Sequence, residues 1–168
     1  VIIRRAGDVI PEVVKVVISN DQNRSAKTKF PERCPCCGHE LVIDATFRVC
    51  PNKWNCQDQV KGMIIHFASK HALNIMGLGE QWVQILIEEK LIQFPSDLFK
   101  LREEQLIHLP GMAEKSARKL IASIQTSKQT TLPRFIYALG ISDVGRATSK
   151  SLAMYFKELK NILNADLV

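Results

Sequence analysis

A short motif occurs three times in this sequence, and its spacing constrains the fold more than any other feature. Gly79, Ala113 and Gly145 lie at intervals of 34 and 32 residues. Each follows a hydrophobic residue, and a leucine stands seven places after each. The hydrophobic residues are Leu78, Met112 and Val144, and the leucines are Leu86, Leu120 and Leu152. A self-similar interval of this length indicates one supersecondary unit repeated along the chain.

Each copy of the motif is flanked by apolar residues at helical spacing. Ala117, Leu120, Ile121 and Ile124, for example, follow one another at i, i+3, i+4 and i+7. We therefore predict a helix after each motif and a short apolar helix before it. The preceding helices are predicted at Gly62–His71, Glu103–His108 and Leu132–Leu139. The predicted fold is mostly α, with a tandem helix-hairpin-helix domain over residues 60–168 and a small β module before it.

The motif itself predicts a tight hairpin that leads into a helix. Glycine permits positive φ and lets the backbone come close to a ligand. The first turn of a helix offers free N–H groups at the positive end of its dipole, and the two features together form a phosphate site. The hairpin positions predicted to contact DNA phosphates are Gly77, Gly79, Gly111, Ala113 and Gly145. A single hairpin of this kind would equally suit an ordinary corner between two helices.

Basic side chains follow two of the three hairpins and favour a polyanion partner. The basic residues predicted to contact DNA are Lys115, Arg118, Lys119, Arg146 and Lys150. Glu80 and Gln81 follow the first hairpin instead, which predicts weaker phosphate binding or a packing role. Residues 112–157 contain eight basic and two acidic residues, in a chain of net charge +6. Charge alone would fit a solvated helical surface, but with the hairpins it predicts salt-sensitive contacts with the DNA backbone, independent of base sequence.

All five cysteines lie in residues 30–59, which we predict to be a four-cysteine zinc module. Two residues separate Cys34 from Cys37, and five separate Cys50 from Cys56. The strand-like stretch between the two pairs, residues 41–49, predicts a hairpin that brings them together. Four thiolates can then surround one tetrahedral Zn²⁺ and leave no position open for water, so the metal is expected to be structural.

Two alternatives to this ligand set arise from the same cysteines. Disulfides are one, although five cysteines leave one unpaired and nothing in the sequence indicates export. The other is Cys36 in place of Cys37, because Cys-x-Cys pairs also bind metals. We expect Cys37 to be the ligand, since it and Cys34 flank a tight knuckle before Gly38.

The first 29 residues differ in pattern from the rest. Residues 1–18 predict two short strands around a turn, and the polar residues 19–29 predict a linker. Two strands alone cannot bury a sheet face, so residues 1–18 are expected to be the tail of a β domain. Both ends of the sequence look interrupted, which predicts a piece of a longer protein. With no long apolar run and no signal-peptide pattern, the protein is expected to be intracellular.

Three stretches together resemble bacterial NAD-dependent DNA ligases, in that family's order and over essentially the whole chain. Arg4–Pro11 resembles the last part of the family's OB-fold domain, and the four-cysteine module follows. The helical stretches that carry the resemblance are His66–Lys70, Met76–Gly79, Ser96–Leu101 and Phe135–Ile141. The family has four hairpin repeats and a BRCT domain, so this chain would hold three of the four repeats.

The resemblance implies a parent enzyme that seals nicks in duplex DNA during replication and repair. In the family, AMP passes from NAD to the lysine of a Lys-x-Asp-Gly motif and then to the 5′-phosphate, where the 3′-hydroxyl displaces it. No lysine of this sequence is followed by x-Asp-Gly. The fragment is therefore expected to be inactive alone, to carry the structural Zn²⁺, and to leave NAD and Mg²⁺ to other parts of the parent enzyme.

The resemblance also implies DNA contacts outside the hairpins. Residues that match Arg5, Val9 and Ile10 contact DNA near the nick in the family, although Val9 and Ile10 would equally suit a strand core. Lys70 is a further expected DNA contact, and it stands where the family usually has arginine, which would remove a bidentate phosphate contact. Asp143 replaces a glycine and is expected to place an unfavourable charge near phosphate.

The expected partners are nicked double-stranded DNA and the N-terminal adenylation and OB-fold domains of the same chain. No membrane is expected, and the protein is expected to be a monomer in the bacterial cytoplasm, associated with the nucleoid. A non-enzymatic DNA-repair scaffold built on hairpin repeats is the main alternative, although a scaffold has no need of the Arg5–Pro11 stretch. A protein-interaction module centred on the zinc element is another, and the basic character beyond Met112 argues against it.

Overall fold

The structure is a computed structural model that describes residues 1–7, 9–17 and 26–165, with the backbone alone for Ala6. Asp8 and residues 19–25 of the predicted linker lie outside the described residues. The chain divides into two compact units, Val1–Pro31 and Glu32–Val168. The cysteine-rich segment and the helical repeats therefore belong to one unit.

The N-terminal unit contains a two-stranded antiparallel ribbon. Strand β1 spans Ile2–Ala6 and strand β2 spans Ile10–Lys15, with a register shift between Ile2 and Ile3. Gly7 adopts a φ of 61° in the connecting turn, a conformation that glycine reaches without strain. The two strands around a turn are confirmed. Their membership of an OB fold stays a prediction, because a ribbon of two strands does not define a barrel.

The C-terminal unit begins with a second small hairpin and continues as helices. Strands β3 (Val42–Asp44) and β4 (Phe47–Val49) pair antiparallel, as the strand-like stretch predicted. The helices are α1 (Gln57–Ala68), α2 (Glu80–Glu88), α3 (Glu103–Leu106), α4 (Glu114–Ser127), α5 (Leu132–Ala138), α6 (Arg146–Phe156) and α7 (Leu159–Leu163). Short 3-10 helices lie at Lys53–Asn55 and Pro95–Lys100. The predicted mostly α fold is confirmed.

The helices pack in three consecutive pairs, which we call the first repeat (α1–α2), the second repeat (α3–α4) and the third repeat (α5–α6). All three of the predicted preceding helices differ in length from the observed ones, the third by only one residue, since α5 ends at Ala138. Helix α1 begins at Gln57 rather than Gly62, directly after the cysteine module with Cys56 at its N-cap position, and it ends at Ala68 rather than His71. Helix α3 is a single turn that ends at Leu106, and Pro110 stands close behind it.

One hydrophobic core runs through the first two repeats and reaches α5. Its fully buried large side chains are Ile64, Leu86, Ile92, Leu98, Leu106 and Ile124. A fully buried aliphatic side chain of this size contributes about 1.5–3 kcal/mol relative to an exposed one. The hydrophobic residues of the first two hairpins join this core, since Leu78 is 8% and Met112 is 7% exposed.

Hydrogen bonds fix the third repeat against the first. The Arg134 guanidinium donates to the carbonyl oxygens of Lys70 (2.7 Å) and Ala72 (2.8 Å). The His66 Nε2 donates to the Tyr137 carbonyl oxygen at 2.8 Å, and the imidazole is partly buried. These hydrogen bonds fix the position of the third repeat, and so of its hairpin, relative to the loop after α1. None of the helices in the described part of the chain is long and apolar enough to cross a membrane.

Candidate metal centre and nucleic-acid interface

Four cysteine sulfurs converge in the cysteine module. The Sγ atoms of Cys34, Cys37, Cys50 and Cys56 all lie within 4.8 Å of one another. The distance is 3.9 Å between Cys34 and Cys56, and 3.6 Å between Cys37 and Cys50. Zinc–sulfur bonds of about 2.3 Å in a tetrahedron require sulfur–sulfur distances of about 3.8 Å. The cluster can therefore hold a metal ion with little movement, and its sulfurs lie well beyond the disulfide bond length of about 2.05 Å.

A tight knuckle places the first two of these sulfurs. The Gly38 N–H donates to the Cys34 carbonyl oxygen at 2.8 Å, and the Cys34 N–H donates to the His39 carbonyl oxygen at 2.7 Å. Gly38 has a φ of 70°, which turns the chain back sharply. The knuckle directs Cys34 and Cys37 inward, while the intervening Cys36 is exposed and stands outside the cluster.

The other two sulfurs come from the end of β4 and the start of α1. Cys50 directly follows β4, and Cys56 is the N-cap residue of α1. Three of the four cluster residues are buried, and Cys37 is half-buried. This arrangement makes the cysteine cluster the connection between the small hairpin and the helical repeats.

The ionisation of the thiols differs across the cluster. A hydrogen bond from the Asn52 side chain, at 3.5 Å, and a backbone hydrogen bond at His39 lower the pKa of Cys37 to about 6. Burial raises the pKa of Cys56 to about 12. Without a cation, closely packed sulfurs cannot all carry negative charge. A divalent ion at their centre would favour the thiolate in each of them, so the donor set suits a soft divalent metal.

The three hairpins share one backbone conformation. The residue before each hydrophobic position is left-handed, with φ of 88° at Gly77, 80° at Gly111 and 63° at Asp143. The residue after each hydrophobic position is extended and caps the following helix; these caps are Gly79, Ala113 and Gly145. The carbonyl oxygen of each cap accepts the N–H four residues on, at 2.9 to 3.0 Å. The repeat seen in the sequence is therefore a repeat of local geometry.

Two departures from a Gly-hydrophobic-Gly pattern are accommodated without disturbing that geometry. Asp143 adopts the left-handed conformation that glycine adopts at the equivalent positions, and aspartate is one of the few other residues found there. Ala113 has φ of −75° and ψ of 146°, an extended conformation open to any residue. Its methyl group therefore needs no change in the backbone of the second hairpin.

The basic residues after the hairpins are not equally available. Lys115, Lys119 and Lys150 are exposed, and the ion pairs of the described residues include none of them. Arg118 is exposed but held by Glu103 at 3.3 Å and Glu114 at 2.7 Å. In the sequence Arg118 looked free to reach a phosphate; in the structure it would first have to leave two carboxylates.

The first hairpin is occupied by contacts within the protein. The Met76 N–H donates to the Ser123 hydroxyl on α4 at 2.7 Å. Glu80, the first residue of α2, pairs with Lys61 at 2.8 Å, and the hydrogen bond from Lys61 lowers the pKa of Glu80. A carboxylate at this position would repel a phosphate. The structure thus favours the packing role for the first hairpin.

The third hairpin lies beside the loop that follows α1. Lys70 is exposed, and its carbonyl oxygen accepts the hydrogen bond from Arg134. The Arg146 guanidinium lies 3.4 Å from the His71 Nδ1. These two contacts could not be predicted from the sequence, because they join residues more than sixty positions apart. Asn52 beside Cys37 was missed for a related reason, since only the folded knuckle brings it there.

The three residues singled out in the N-terminal ribbon do not share one face. Arg5 pairs across the ribbon with Pro11, and Ile10 pairs with Ala6. Side chains alternate between faces along a strand, so Arg5 and Ile10 project to opposite sides. Val9, in the turn, is 84% exposed. Ile10 is 68% exposed, so neither apolar residue lies in a core within this unit.

Comparison with known proteins gives two kinds of match. A model described as a SAM-like helix-hairpin-helix tandem matches residues 69–126, and a helix-hairpin-helix motif model matches residues 134–168. DNA ligase of Coxiella burnetii (strain CbuK_Q154) is 44% identical over 170 residues, which cover 99% of this chain and 25% of that protein. DNA ligase of Ectopseudomonas mendocina (strain ymp) is 44% identical over 179 residues, 98% of this chain and 23% of that protein.

The DNA ligase of Pseudomonas syringae pv. tomato is 43% identical over 179 residues, 98% of this chain and 23% of that protein. The chain thus spans about a quarter of the length of the curated relatives it matches. The two family models together cover all three hairpins and the helix that follows each of them.

Proposed function

We propose, from the premise that this chain belongs to the DNA ligase family, that it is a part of a nick-sealing enzyme that holds duplex DNA by its backbone. The observation that carries this proposal is the third hairpin, where a helix start, Arg146 and Lys150 lie exposed without a carboxylate partner within the described residues. A helix start and cations bind phosphate without reading bases.

The second hairpin supports the same function from Lys115 and Lys119, with Gly111 and Ala113 supplying the backbone. We assign Gly145 and Lys70 to the contact surface of the third hairpin. Gly77 and Gly79 of the first hairpin are assigned a weaker contribution, since Met76 and Glu80 beside them are engaged in contacts within the protein. In the N-terminal ribbon, Arg5, Val9 and Ile10 are proposed contacts close to the nick, with Arg5 on a different face from Ile10.

Cys34, Cys37, Cys50 and Cys56 are proposed to bind one structural Zn²⁺. When bound, the ion would hold the small hairpin and the start of α1 together, in a module too small to be stabilised by burial alone. After extensive dialysis we expect one zinc per chain by mass spectrometry. Cys37→Ser should lose the metal, whereas Cys36→Ser, a matched change at the exposed neighbour, should retain it. A folded, metal-free wild-type chain would overturn this assignment.

The parent reaction is proposed to be NAD-dependent nick joining through an AMP–lysine intermediate. NAD and Mg²⁺ would be bound by the remainder of the enzyme, and this chain would be inactive alone, as a monomeric part of a cytoplasmic bacterial enzyme at the nucleoid. Its partners would be nicked duplex DNA and the adenylation and OB-fold domains. A scaffold without ligase activity is not favoured, because the relatives matched over nearly the whole chain are DNA ligases.

The test is a sealing assay with the missing N-terminal part of the enzyme supplied separately. That part, the chain and a nicked duplex labelled at its 5′-phosphate are mixed, and the joined product is measured on a denaturing gel. We expect the chain to increase sealing by the N-terminal part and to join nothing by itself. An unchanged rate of sealing would contradict the proposed function.

A further inference from the structure

The pair formed by Arg146 and His71 joins the third hairpin to the loop after α1. The Arg146 Nη1 lies 3.4 Å from the His71 Nδ1. A guanidinium has only donors, so the imidazole nitrogen must be the acceptor and the ring proton must sit on Nε2. Both side chains are exposed. The contact therefore places the guanidinium at the start of α6 beside the imidazole.

Three cations and one carboxylate come from the elements that meet at this imidazole, and the carboxylate is the exposed Asp143, which lies in the same hairpin as Arg146. Lys70 precedes it in the loop, Arg146 faces it from α6, and Arg134 reaches the same loop from α5 through the carbonyl oxygens of Lys70 and Ala72. No ion pair within the described ranges gives Lys70, Arg134 or Arg146 a carboxylate. Cationic neighbours disfavour a further positive charge, and an added anion would reverse that effect.

We propose that His71 is a further phosphate-binding residue of this surface, and that it takes up a proton from solvent when a DNA phosphodiester binds beside Arg146. This inference rests on the proposed function, because it requires DNA at the third hairpin. The phosphate oxygen takes over the Arg146 N–H groups, which frees Nδ1. The imidazole gains one proton from water at Nδ1 and becomes a donor on both ring nitrogens. No covalent bond forms or breaks apart from this proton transfer.

The proposal predicts DNA affinity that rises as pH falls through the range in which imidazoles titrate, about pH 6 to 7. The experiment measures binding of the chain to a fluorescein-labelled nicked duplex by anisotropy at pH 6.0 and 7.5 and fixed ionic strength. We expect about four-fold tighter binding at pH 6.0. Each neutralised phosphate adds about 0.9 to the slope of log affinity against log salt, so that slope should be steeper by about 0.9 at pH 6.0.

Two substitutions at His71 and one control carry the test. His71→Ala should remove both pH effects, and His71→Lys should bind at pH 7.5 about as tightly as the wild type binds at pH 6.0. His108→Ala removes the other exposed histidine beside a hairpin and should retain the full pH response. Circular dichroism of each variant establishes that it is folded.

The outcomes separate this inference from the proposed function. A wild-type chain that fails to bind the duplex at either pH overturns the proposed function and this inference together. A chain that binds equally at both pH values overturns the role of His71 alone. So does a pH response that persists in His71→Ala, or one that is lost in His108→Ala.

Discussion

The first and third hairpins have the same backbone and different surroundings. Gly77 and Asp143 are both left-handed, and Gly79 and Gly145 both cap a helix in an extended conformation. The first hairpin is nevertheless bound to the rest of the protein through the Met76 N–H and through the Glu80 carboxylate. In the third hairpin, the residue equivalent to Glu80 is the exposed Arg146.

The hydrophobic residue at the centre of the hairpin is also more deeply buried in the first hairpin than in the third. Leu78 of the first hairpin is 8% exposed and lies in the shared core, whereas Val144 of the third is half-buried. The first hairpin therefore stabilises the folded core, and the third presents a surface that DNA can reach. The repeat therefore determines the backbone, whereas the contacts and charges of the surrounding side chains determine whether a hairpin is available to a phosphate.

The largest expected effect is on stability. Leu78→Ala should lower the free energy of unfolding by about 2–4 kcal/mol, because it leaves a cavity in the core. Val144→Ala, the same kind of truncation at the equivalent position, should lower it by about 1 kcal/mol. Urea denaturation followed by circular dichroism measures both. Equal losses would remove the distinction between a packing hairpin and a surface hairpin.

The next effect is on DNA affinity. Arg146→Glu places a carboxylate at the third hairpin and should weaken binding to a nicked duplex by about ten-fold. Glu80→Lys is the matched reversal at the first hairpin. Although it adds positive charge, it should change affinity by less than about two-fold, because that hairpin is engaged within the protein. Anisotropy titrations at one salt concentration measure the two, and a larger effect at Glu80 would reverse the proposed roles.

The smallest expected effect comes from Asp143→Gly. Glycine adopts the left-handed conformation at least as readily as aspartate, so the free energy of unfolding should change by less than about 1 kcal/mol. Removal of one negative charge near the phosphate should tighten DNA binding by about two- to three-fold. A weaker affinity of the glycine variant for DNA would indicate that the Asp143 side chain helps the third hairpin to bind DNA.

Local features of the structure could be predicted from the sequence. The period of the repeat identified all three hairpins, because each needs a left-handed residue, an apolar residue and a helix cap in fixed order. The cysteine spacing identified the four sulfurs that converge. Helix bounds were less predictable: α1 extends back to Gln57, directly behind the cysteine module, over residues whose apolar spacing does not indicate a helix.

Contacts between distant residues could not be predicted in the same way. Arg118 carries the charge expected of a phosphate contact, yet it is held by Glu103 and Glu114 once the second repeat has folded. Arg134 looked like another surface cation, but its guanidinium binds two backbone carbonyls of the loop after α1. Neither of these pairings can be inferred from the number of charged residues along the chain.

The salt dependence of DNA binding reports directly on whether the chain binds the DNA backbone. The affinity of the chain should be measured for two nicked duplexes of unrelated sequence between about 50 and 200 mM salt. Contacts from Lys115, Lys119, Arg146 and Lys150 to separate phosphates predict a log–log slope of about −3 to −4 that is the same for both duplexes. A slope near zero, or affinities that differ strongly between the two sequences, would contradict the account of a chain that binds the DNA backbone.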